Sequence, residues 1–383
     1  MPVRATKRGA QRTPLQRDCD VLVCGASFAG LAVARELAGT GADVLVIDRY
    51  ELGERQTSAC AIPTVWLRAL DLMGSHRQTF HELVVHTPRR TSRWRLPWSF
   101  STFDYRELCA ALWSQSGLPD AQLETATVSG RRGSTVQTDR GELRAPLIVD
   151  ALGWRRVLSN GATIQPPKAR LSRGLEVHPP GSGGEMELWI DTRYVRAGYS
   201  WNFPAGDELR VGVGSFWPTH RVKEPTVRLA RELGLPPVRY QGNWIPHQLR
   251  AAVEDRVFFV GDSAGQCLPV TAEGIRTALY FGLACGRELR AVLDGRQSHA
   301  QALRRYGAFS AGHAREFRWL LAAQRAIGRL MSTRAVPAMV RAVENQYLAH
   351  WMFNRYLAIA PPAFASTRTR RTERARVAAP APA

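Results

Sequence analysis

The apolar positions near the start of the chain follow a strand, helix, strand order. Residues 20–25 form a β-branched run, residues 31–38 are alanine-rich with helical spacing, and residues 41–48 form a second apolar run that ends in an acid. A strand, a glycine turn, a helix and a strand within about 30 residues make a βαβ unit. We therefore predict that a parallel sheet opens the fold.

Most of the middle of the chain has the period of strands. Residues 82–100 alternate around an Arg-rich hairpin, residues 121–150 resemble a three-stranded meander with a buried run at its end, and residues 165–250 alternate among Trp, Tyr, Gly and Pro. Residues 61–74 and 104–113 have helical spacing instead. We expect residues 165–250 to form an inserted antiparallel sheet.

The last third of the chain is mostly helical. A hydrophobic strand at residues 256–260 returns to the first sheet, and residues 272–293 and 301–360 have helical spacing. Between 301 and 360 one side is apolar and arginines occupy much of the other. Three interpretations stay open for these helices: packing on the sheet, which is slightly favoured, a cap over a substrate cleft, and a basic amphipathic surface on lipid.

The first βαβ unit carries a glycine loop. Gly25 ends the strand, Gly30 lets the helix pack closely, and Ser27 replaces the middle glycine of the usual GxGxxG pattern. The helix that begins there favours a phosphate at its N-terminus. Asp48 follows Gly25 at the distance typical of an acid that binds ribose hydroxyls, so the unit predicts a dinucleotide site.

A second strand-to-helix turn, over residues 260–279, is the sharpest chemical signal. Gly261 ends a strand, Asp262 can accept hydrogen bonds from a polyol, and a proline-bent loop leads to a helix that begins near Gly274 and Ile275. Such a helix N-terminus would stabilise negative charge on the pyrimidine edge of a flavin. The alternative, that Asp262 is a helix cap and Gly274 a plain turn, is less favoured.

These motifs resemble those of FAD-dependent oxidoreductases with the para-hydroxybenzoate hydroxylase fold, and within them the geranylgeranyl reductase family. The resemblance covers about residues 18–300 and includes residues 150–155, a degraded Asp-Gly motif in which Ala151 replaces the glycine. It implies an α/β fold: a GR2-type, Rossmann-like FAD-binding domain, an inserted antiparallel substrate sheet and C-terminal helices. The implied boundaries are 18–80, 101–165 and 250–300 for the FAD domain, 81–100 and 166–249 for the substrate domain, and 301–365 for a helical cap.

The resemblance implies noncovalently bound FAD. NAD(P)H or reduced ferredoxin would then be a transient electron donor, because only one dinucleotide-binding unit is present. Arg49 and Arg106 would contact the phosphates, although a surface role competes for both. The implied FAD-binding residues are Gly25, Ala26, Ser27, Phe28, Ala29, Gly30, Asp48, Arg49, Arg106, Val128, Asp150, Gly153, Gly261, Asp262, Gly274 and Ile275.

A further motif concerns the substrate. Residues 199–204 followed by 211–214 resemble the YxWxFP and VGxG signature of the reductases, and also approach the WxWxIP motif of flavin-dependent halogenases. Those halogenases need a lysine near the substrate, and none lies between Lys7 and Lys168, so halogenation is disfavoured. The expected apolar substrate pocket is formed by Tyr199, Trp201, Phe203 and Pro269.

Three groups are candidates for the chemistry of the reaction. Tyr199 and Trp201 belong to the aromatic motif, and Cys60 lies roughly where the reductases carry a Cys-Gly near the flavin. A buried, inert thiol is the favoured interpretation of Cys60. The proton that alkene reduction requires could come from Tyr199, Cys60 or an ordered water.

The net charge of the chain bears on whether its partner is a nucleic acid or an anionic membrane surface. The 383 residues carry a formal charge of +19, of which nine charges lie in residues 1–17 and 366–383, two segments that we expect to be disordered. No nucleic-acid motif accompanies the basicity, which makes nucleic acid a disfavoured partner and leaves an anionic membrane surface open. The scattered cysteines and the lack of a signal segment predict a cytoplasmic protein without a metal site, with peripheral membrane association as an added expectation.

The leading hypothesis is hydride transfer from reduced FAD to a carbon–carbon double bond of an apolar, isoprenoid-type substrate. The alternative keeps the flavin and uses oxygen through a flavin hydroperoxide, which would make the protein a hydroxylase or epoxidase. A nonenzymatic basic binding protein is the third class, and it would bind no flavin.

Overall fold

The computed structural model describes residues 13–56, 58–161, 171–331, 333 and 335–366. Its strands, in chain order, are β1 (Arg17–Asp18), β2 (Val21–Cys24), β3 (Val44–Asp48), β4 (Ala61–Pro63), β5 (His76–Thr87), β6 (Arg90–Phe103), β7 (Leu123–Thr125), β8 (Val128–Arg132), β9 (Thr135–Thr138), β10 (Gly141–Arg144), β11 (Leu147–Asp150), β12 (Ser172–Val177), β13 (Glu187–Trp189), β14 (Gly198–Pro204), β15 (Leu209–Ser215), β16 (Gln241–Ile245), β17 (Val253–Glu254) and β18 (Val257–Phe259). Its helices are α1 (Phe28–Glu36), α2 (Thr64–Ala69), α3 (Tyr105–Ser116), α4 (Lys223–Glu232), α5 (Ile275–Leu293), α6 (His299–Ala311), α7 (Ala314–Leu330), α8 (Ala335–Ala342) and α9 (Gln346–Ala358).

The first sheet has the strand order β17-β18-β11-β2-β3-β7 and is parallel from β18 to β7. Its central strands β2 and β11 are buried along their whole length, as a parallel sheet with covered faces requires. Helix α1 packs on α5, where Gly282 lies so close that a Cβ would stand 2.6 Å from the Ala29 carbonyl oxygen. The predicted βαβ unit and the return of residues 256–260 to this sheet are confirmed.

A small second sheet has the order β1-β10-β9-β8 and contains the predicted meander. Its edge strand β1 corrects one prediction, because residues 13–17 are not part of a disordered tail. Leu15 is buried and its amide donates to the Arg140 carbonyl at 2.8 Å, while Arg17 forms an ion pair with Asp43 at 2.6 Å. Residues 1–12 and 367–383, where most of the predicted tails lie, are outside the described residues.

The third sheet has eight strands in the order β16-β12-β15-β14-β13-β5-β6-β4 and is antiparallel except between β13 and β5. The hairpin of β5 and β6 extends beyond the predicted 81–100 on both sides. The single helix predicted over 61–74 is wrong: residues 61–63 pair with β6 as strand β4, and only then does α2 begin. Helix α4 covers the outer face of this sheet and was not predicted.

Two indole donors hold the C-terminal helices in place. The half-buried indole of Trp94 in β6 donates to the Val340 carbonyl at 3.0 Å, and the buried indole of Trp66 in α2 donates to the Ala360 carbonyl at 3.2 Å. Both bonds satisfy an indole N–H that is at least partly shielded from water. Helix α8 and the segment after α9 are therefore held against β6 and α2.

Candidate functional site

One large cavity lies where the parallel sheet, the eight-stranded sheet and the C-terminal helices meet. Its volume is about 2140 Å³, well above the ~300–1000 Å³ of a cleft for one drug-sized molecule. Side chains from α7, α8 and α9 line one side of it. The cavity therefore has room for a cofactor and a second molecule, and the C-terminal helices both pack on the sheet and cover the cavity.

The loop between β2 and α1 forms one wall. Residues 26–29 line the cavity, whereas Gly25 and Gly30 lie behind them. A Cβ on Gly25, which has φ +112°, would stand 2.3 Å from the Ala151 carbonyl oxygen, and one on Gly30 would stand 1.8 Å from the Gly25 carbonyl oxygen. Both glycines are thus required for close backbone packing, and the residues between them face the cavity.

Asp48, at the end of β3, fixes this loop. Its carboxylate accepts from the amide of Ala26 at 2.8 Å and from the amide of Tyr50 at 3.0 Å, and it also lines the cavity. Burial raises the pKa of Asp48. An ionised carboxylate has about four acceptor sites, and the amides of Ala26, Tyr50 and Arg49 do not fill all of them, so acceptor capacity remains for a polyol. Arg49, beside it, also lines the cavity.

Asp150, at the end of β11, was expected to bind FAD but does not line the cavity. The Asp150 side chain is fully buried and accepts from the Leu152 amide at 2.9 Å, the Leu158 amide at 2.8 Å and the Ser263 hydroxyl at 2.6 Å. It lies beneath the cavity rather than in its wall. Gly153, with φ +85°, and Val128 do line the cavity.

The turn before α5 supplies a neighbouring part of the wall, since a Cβ on Gly261 would stand 2.9 Å from the Cβ of Ala29. Gly261, Asp262, Gly274 and Ile275 all line the cavity, and the amide of Gly261 is held by the Gln266 side chain at 2.7 Å. Burial raises the pKa of Asp262 to about 6, although Arg250 opposes the shift. Helix α5 begins after Gly274 without a side-chain cap, so its first amides face this end of the cavity.

A buried network behind this turn was missed by the sequence analysis. Arg276 has no exposed surface and donates to both carboxylate oxygens of Glu273, at 2.9 and 2.8 Å. It also donates to the carbonyls of Tyr356, Leu357 and Ala360 at 3.0–3.2 Å. Burial opposes the charge, but Glu273 outweighs it and raises the pKa of Arg276. The turn and the end of α9 are consequently joined.

Tyr199, Trp201 and Phe203 lie on one face of β14, as predicted. All three line the cavity, with ring centroids 6.0 Å apart for the first pair and 6.4 Å for the second. The Tyr199 hydroxyl donates to the Thr271 carbonyl, and burial raises the Tyr199 pKa well above its ordinary value. The aromatic row therefore starts at the turn before α5 and runs away from it.

The glycines of the VGxG motif make room for the Trp201 indole. A Cβ on Gly212 would stand 2.2 Å from the indole ring, and one on Gly214 would stand 3.3 Å from it. The indole N–H donates across the sheet to Glu176 at 3.1 Å. The paired sequence signatures are thus one structural unit, in which the Trp201 ring packs against two glycines of β15.

Cys60 is placed differently from the prediction that included it among the reactive groups. Its side chain is fully buried, it does not line the cavity although Ala59 and Ala61 do, and burial raises its pKa well above the ordinary value. Its carbonyl is one of three that the buried Arg210 guanidinium binds. This placement agrees with the favoured interpretation of Cys60 as a buried, inert thiol.

Two further predicted residues lie just outside the cavity wall. Pro269 is buried between Cys267 and Val270, both of which line the cavity. Arg106 is exposed and packs behind Gly53, where a Cβ would stand 2.7 Å from the Arg106 Cα. Neither side chain reaches the cavity in this structure.

The burial of Asp262 predicts a pH dependence of stability. With its pKa raised to about 6, the folded apoprotein binds more protons than the unfolded chain between about pH 4 and 6, so this group makes stability fall as pH rises. Relative to Asp262→Asn, the wild type should lose about 1 kcal/mol or more between pH 4.5 and 7 in urea unfolding. An unchanged difference across that interval would contradict the prediction.

The close contact between Gly212 and the Trp201 indole predicts that a side chain at position 212 destabilises the protein. Gly212→Ala should destabilise the protein by about 1–3 kcal/mol and change the fluorescence of the displaced indole. Gly130→Ala is the matched control, since Gly130 is also in a strand but has open space at its Cβ position. Equal unfolding midpoints for the two variants would show that the indole is not confined.

Comparisons with known proteins agree with this geometry. A family model of the FAD binding domain matches residues 18–138. Digeranylgeranylglycerophospholipid reductase 3 of Methanosphaera stadtmanae is 23% identical over 334 residues, covering 78% of this chain and 83% of that protein.

Two solved structures share the fold. A geranylgeranyl bacteriochlorophyll reductase-like protein from Thermoplasma acidophilum has a TM-score of 0.75 and 16% identity, and the match covers 91% of this chain and 98% of that one. PqsL of Pseudomonas aeruginosa, described as a probable FAD-dependent monooxygenase, has a TM-score of 0.65 and 19% identity over 85% of this chain and all of that one.

The FAD-binding match counts against a nonenzymatic protein that binds no flavin, and the reductase relative extends the likeness to 78% of this chain. Domain, relatives and fold agree with the arrangement of the cavity walls. The chain is an FAD-dependent oxidoreductase that is similar to the digeranylgeranylglycerophospholipid reductases in sequence and to the geranylgeranyl bacteriochlorophyll reductase-like protein in fold.

Proposed function

We propose that this oxidoreductase reduces carbon–carbon double bonds of an apolar, isoprenoid-type substrate. Bound reduced FAD would supply the hydride for this chemistry. The observation that carries the proposal is the continuous apolar path from the turn before α5, along the aromatic row of β14, to the far end of the cavity. The reductase relative, whose name specifies a digeranylgeranyl lipid, supports the same substrate class.

The cavity walls fit FAD. The amides at the start of α1 would hold the pyrophosphate, and the free acceptor sites of Asp48 would bind the ribose. Asp262 lines the cavity where a polyol chain would pass, and the uncapped amides at the start of α5 would face the pyrimidine edge of the ring. Arg49 would approach the phosphates from the cavity rim.

The aromatic row gives the path its length. Tyr199 and Phe203 are four residues apart on a strand, which is about 13 Å. Phe203 packs against an apolar cluster in which Leu83, Met186 and Val336 are buried and also line the cavity. An extended prenyl chain would lie along this path with one double bond beside Tyr199.

The hydrogen bond of the Tyr199 hydroxyl bears on whether Tyr199 could donate a proton to the substrate. Its hydroxyl proton is held by the Thr271 carbonyl, and its raised pKa keeps it protonated at neutral pH. Tyr199 would therefore orient the turn and act as a proton donor only through exchange with an ordered water. The electron donor would be external, either NAD(P)H or reduced ferredoxin.

The competing candidate is an FAD-dependent monooxygenase, which the fold shared with PqsL favours. The two reactions differ in their need for oxygen. Holoenzyme reduced with dithionite under anaerobic conditions and mixed with a geranylgeranyl lipid should give products heavier by two hydrogens for each double bond reduced. Flavin reoxidation without a mass change, or a product that forms only with oxygen, would refute the reductase proposal.

The length of the apolar path predicts a dependence on chain length. Leu83→Trp would fill the far end of the cavity, so the rate with a geranylgeranyl substrate should fall at least tenfold relative to wild type while a geranyl substrate is reduced at a rate close to wild type. The visible spectrum of bound flavin controls for folding. Equal losses with both substrates would show that the chain does not extend to Leu83.

A further inference from the structure

Large apolar side chains that are exposed to solvent are concentrated on the C-terminal helices. The described residues contain nine of them, and six lie between residues 319 and 351. The exposed fraction reaches 78% for Tyr347, 68% for Trp319 and 59% for Trp351. We call these six residues the apolar rim: Trp319, Leu330, Met339, Tyr347, Leu348 and Trp351.

Four of the six residues of the apolar rim also belong to the cavity wall. Trp319, Met339, Leu348 and Trp351 are exposed and also line the cavity, so the same side chains face solvent and the interior. A soluble protein rarely exposes so many neighbouring apolar groups without a partner that covers them. A partner that covered the apolar rim would therefore adjoin the cavity.

The charge around the apolar rim is positive. Residues 314–358 contain seven Arg and two Glu, and one of the acids, Glu344, is paired with Arg90. The guanidinium of Arg355 lies 5.6 Å from the ring centroid of Trp351. Proteins that bind anionic bilayers place Trp and Tyr at the membrane interface and Arg or Lys near the anionic headgroups.

We propose that the apolar rim inserts into the headgroup region of an anionic bilayer and that the cavity mouth opens towards the acyl chains. Among the described residues no helix has the length and apolarity needed to cross a membrane, so the contact is interfacial. The part that concerns substrate entry rests on the proposed function, whereas the binding surface itself does not. An apolar chain could then pass from the bilayer into the cavity without crossing water.

The test measures binding of holoenzyme to vesicles in the absence of substrate. Wild type should sediment with vesicles of phosphatidylglycerol and phosphatidylcholine, and its tryptophan fluorescence should shift to the blue. The double variant Trp319→Ala, Trp351→Ala should bind at least tenfold less, because it loses two interfacial anchors. Met73→Ala, which removes an exposed apolar side chain of the FAD domain, should bind like wild type.

The flavin spectrum and thermal midpoint of each variant confirm folding before binding is compared. Equal binding of the double variant and wild type would overturn the proposal, since the contact would then be charge adsorption alone. Failure of wild type to bind anionic vesicles would overturn it as well. Wild-type reduction of a detergent-solubilised prenyl lipid is measured separately, so loss of the membrane surface and loss of the reductase activity are distinguishable.

Discussion

The buried pair of Arg276 and Glu273 is the interaction on which the arrangement of the site depends. A guanidinium without exposed surface is tolerated only when its N–H groups are satisfied, and here a carboxylate and three carbonyls at the end of α9 accept from it. Removing one partner of such a pair typically costs about 3–5 kcal/mol. The turn before α5 and the end of α9 are therefore fixed to each other by this buried pair and its carbonyl acceptors.

This pair links the part of the cavity wall that would contact a cofactor to the helices that cover the cavity. The wall made by residues 26–29 and Asp48 is held tightly. Gly25 and Gly30 allow close backbone contacts, and the Asp48 carboxylate accepts hydrogen bonds from two backbone amides. The adjoining turn before α5 is fixed by Arg276 and by the hydroxyl of Tyr356, which donates to Glu273. A cofactor bound along these two segments would contact the same turn that holds the C-terminal helices over the cavity.

Local spacing was enough to predict the βαβ unit, the turn before α5 and the aromatic row on β14, because each depends on residues close together in the chain. The Arg276 network is only partly local: Glu273 is three residues away, but the carbonyls that complete the network lie about eighty residues away. In a chain with so many arginines, sequence does not indicate which one is buried. The direction of the Cys60 side chain and the pairing of β4 likewise depend on distant strands.

The burial of the cysteines has a practical consequence. All six lie in the described part of the chain, all are buried, and Cys267 is the one that lines the cavity. A thiol reagent in solution would meet no exposed sulfur on the outer surface. A single cysteine introduced on a C-terminal helix could therefore carry a spectroscopic label without removing any native thiol, and a small reagent that modified Cys267 would report that it had entered the cavity.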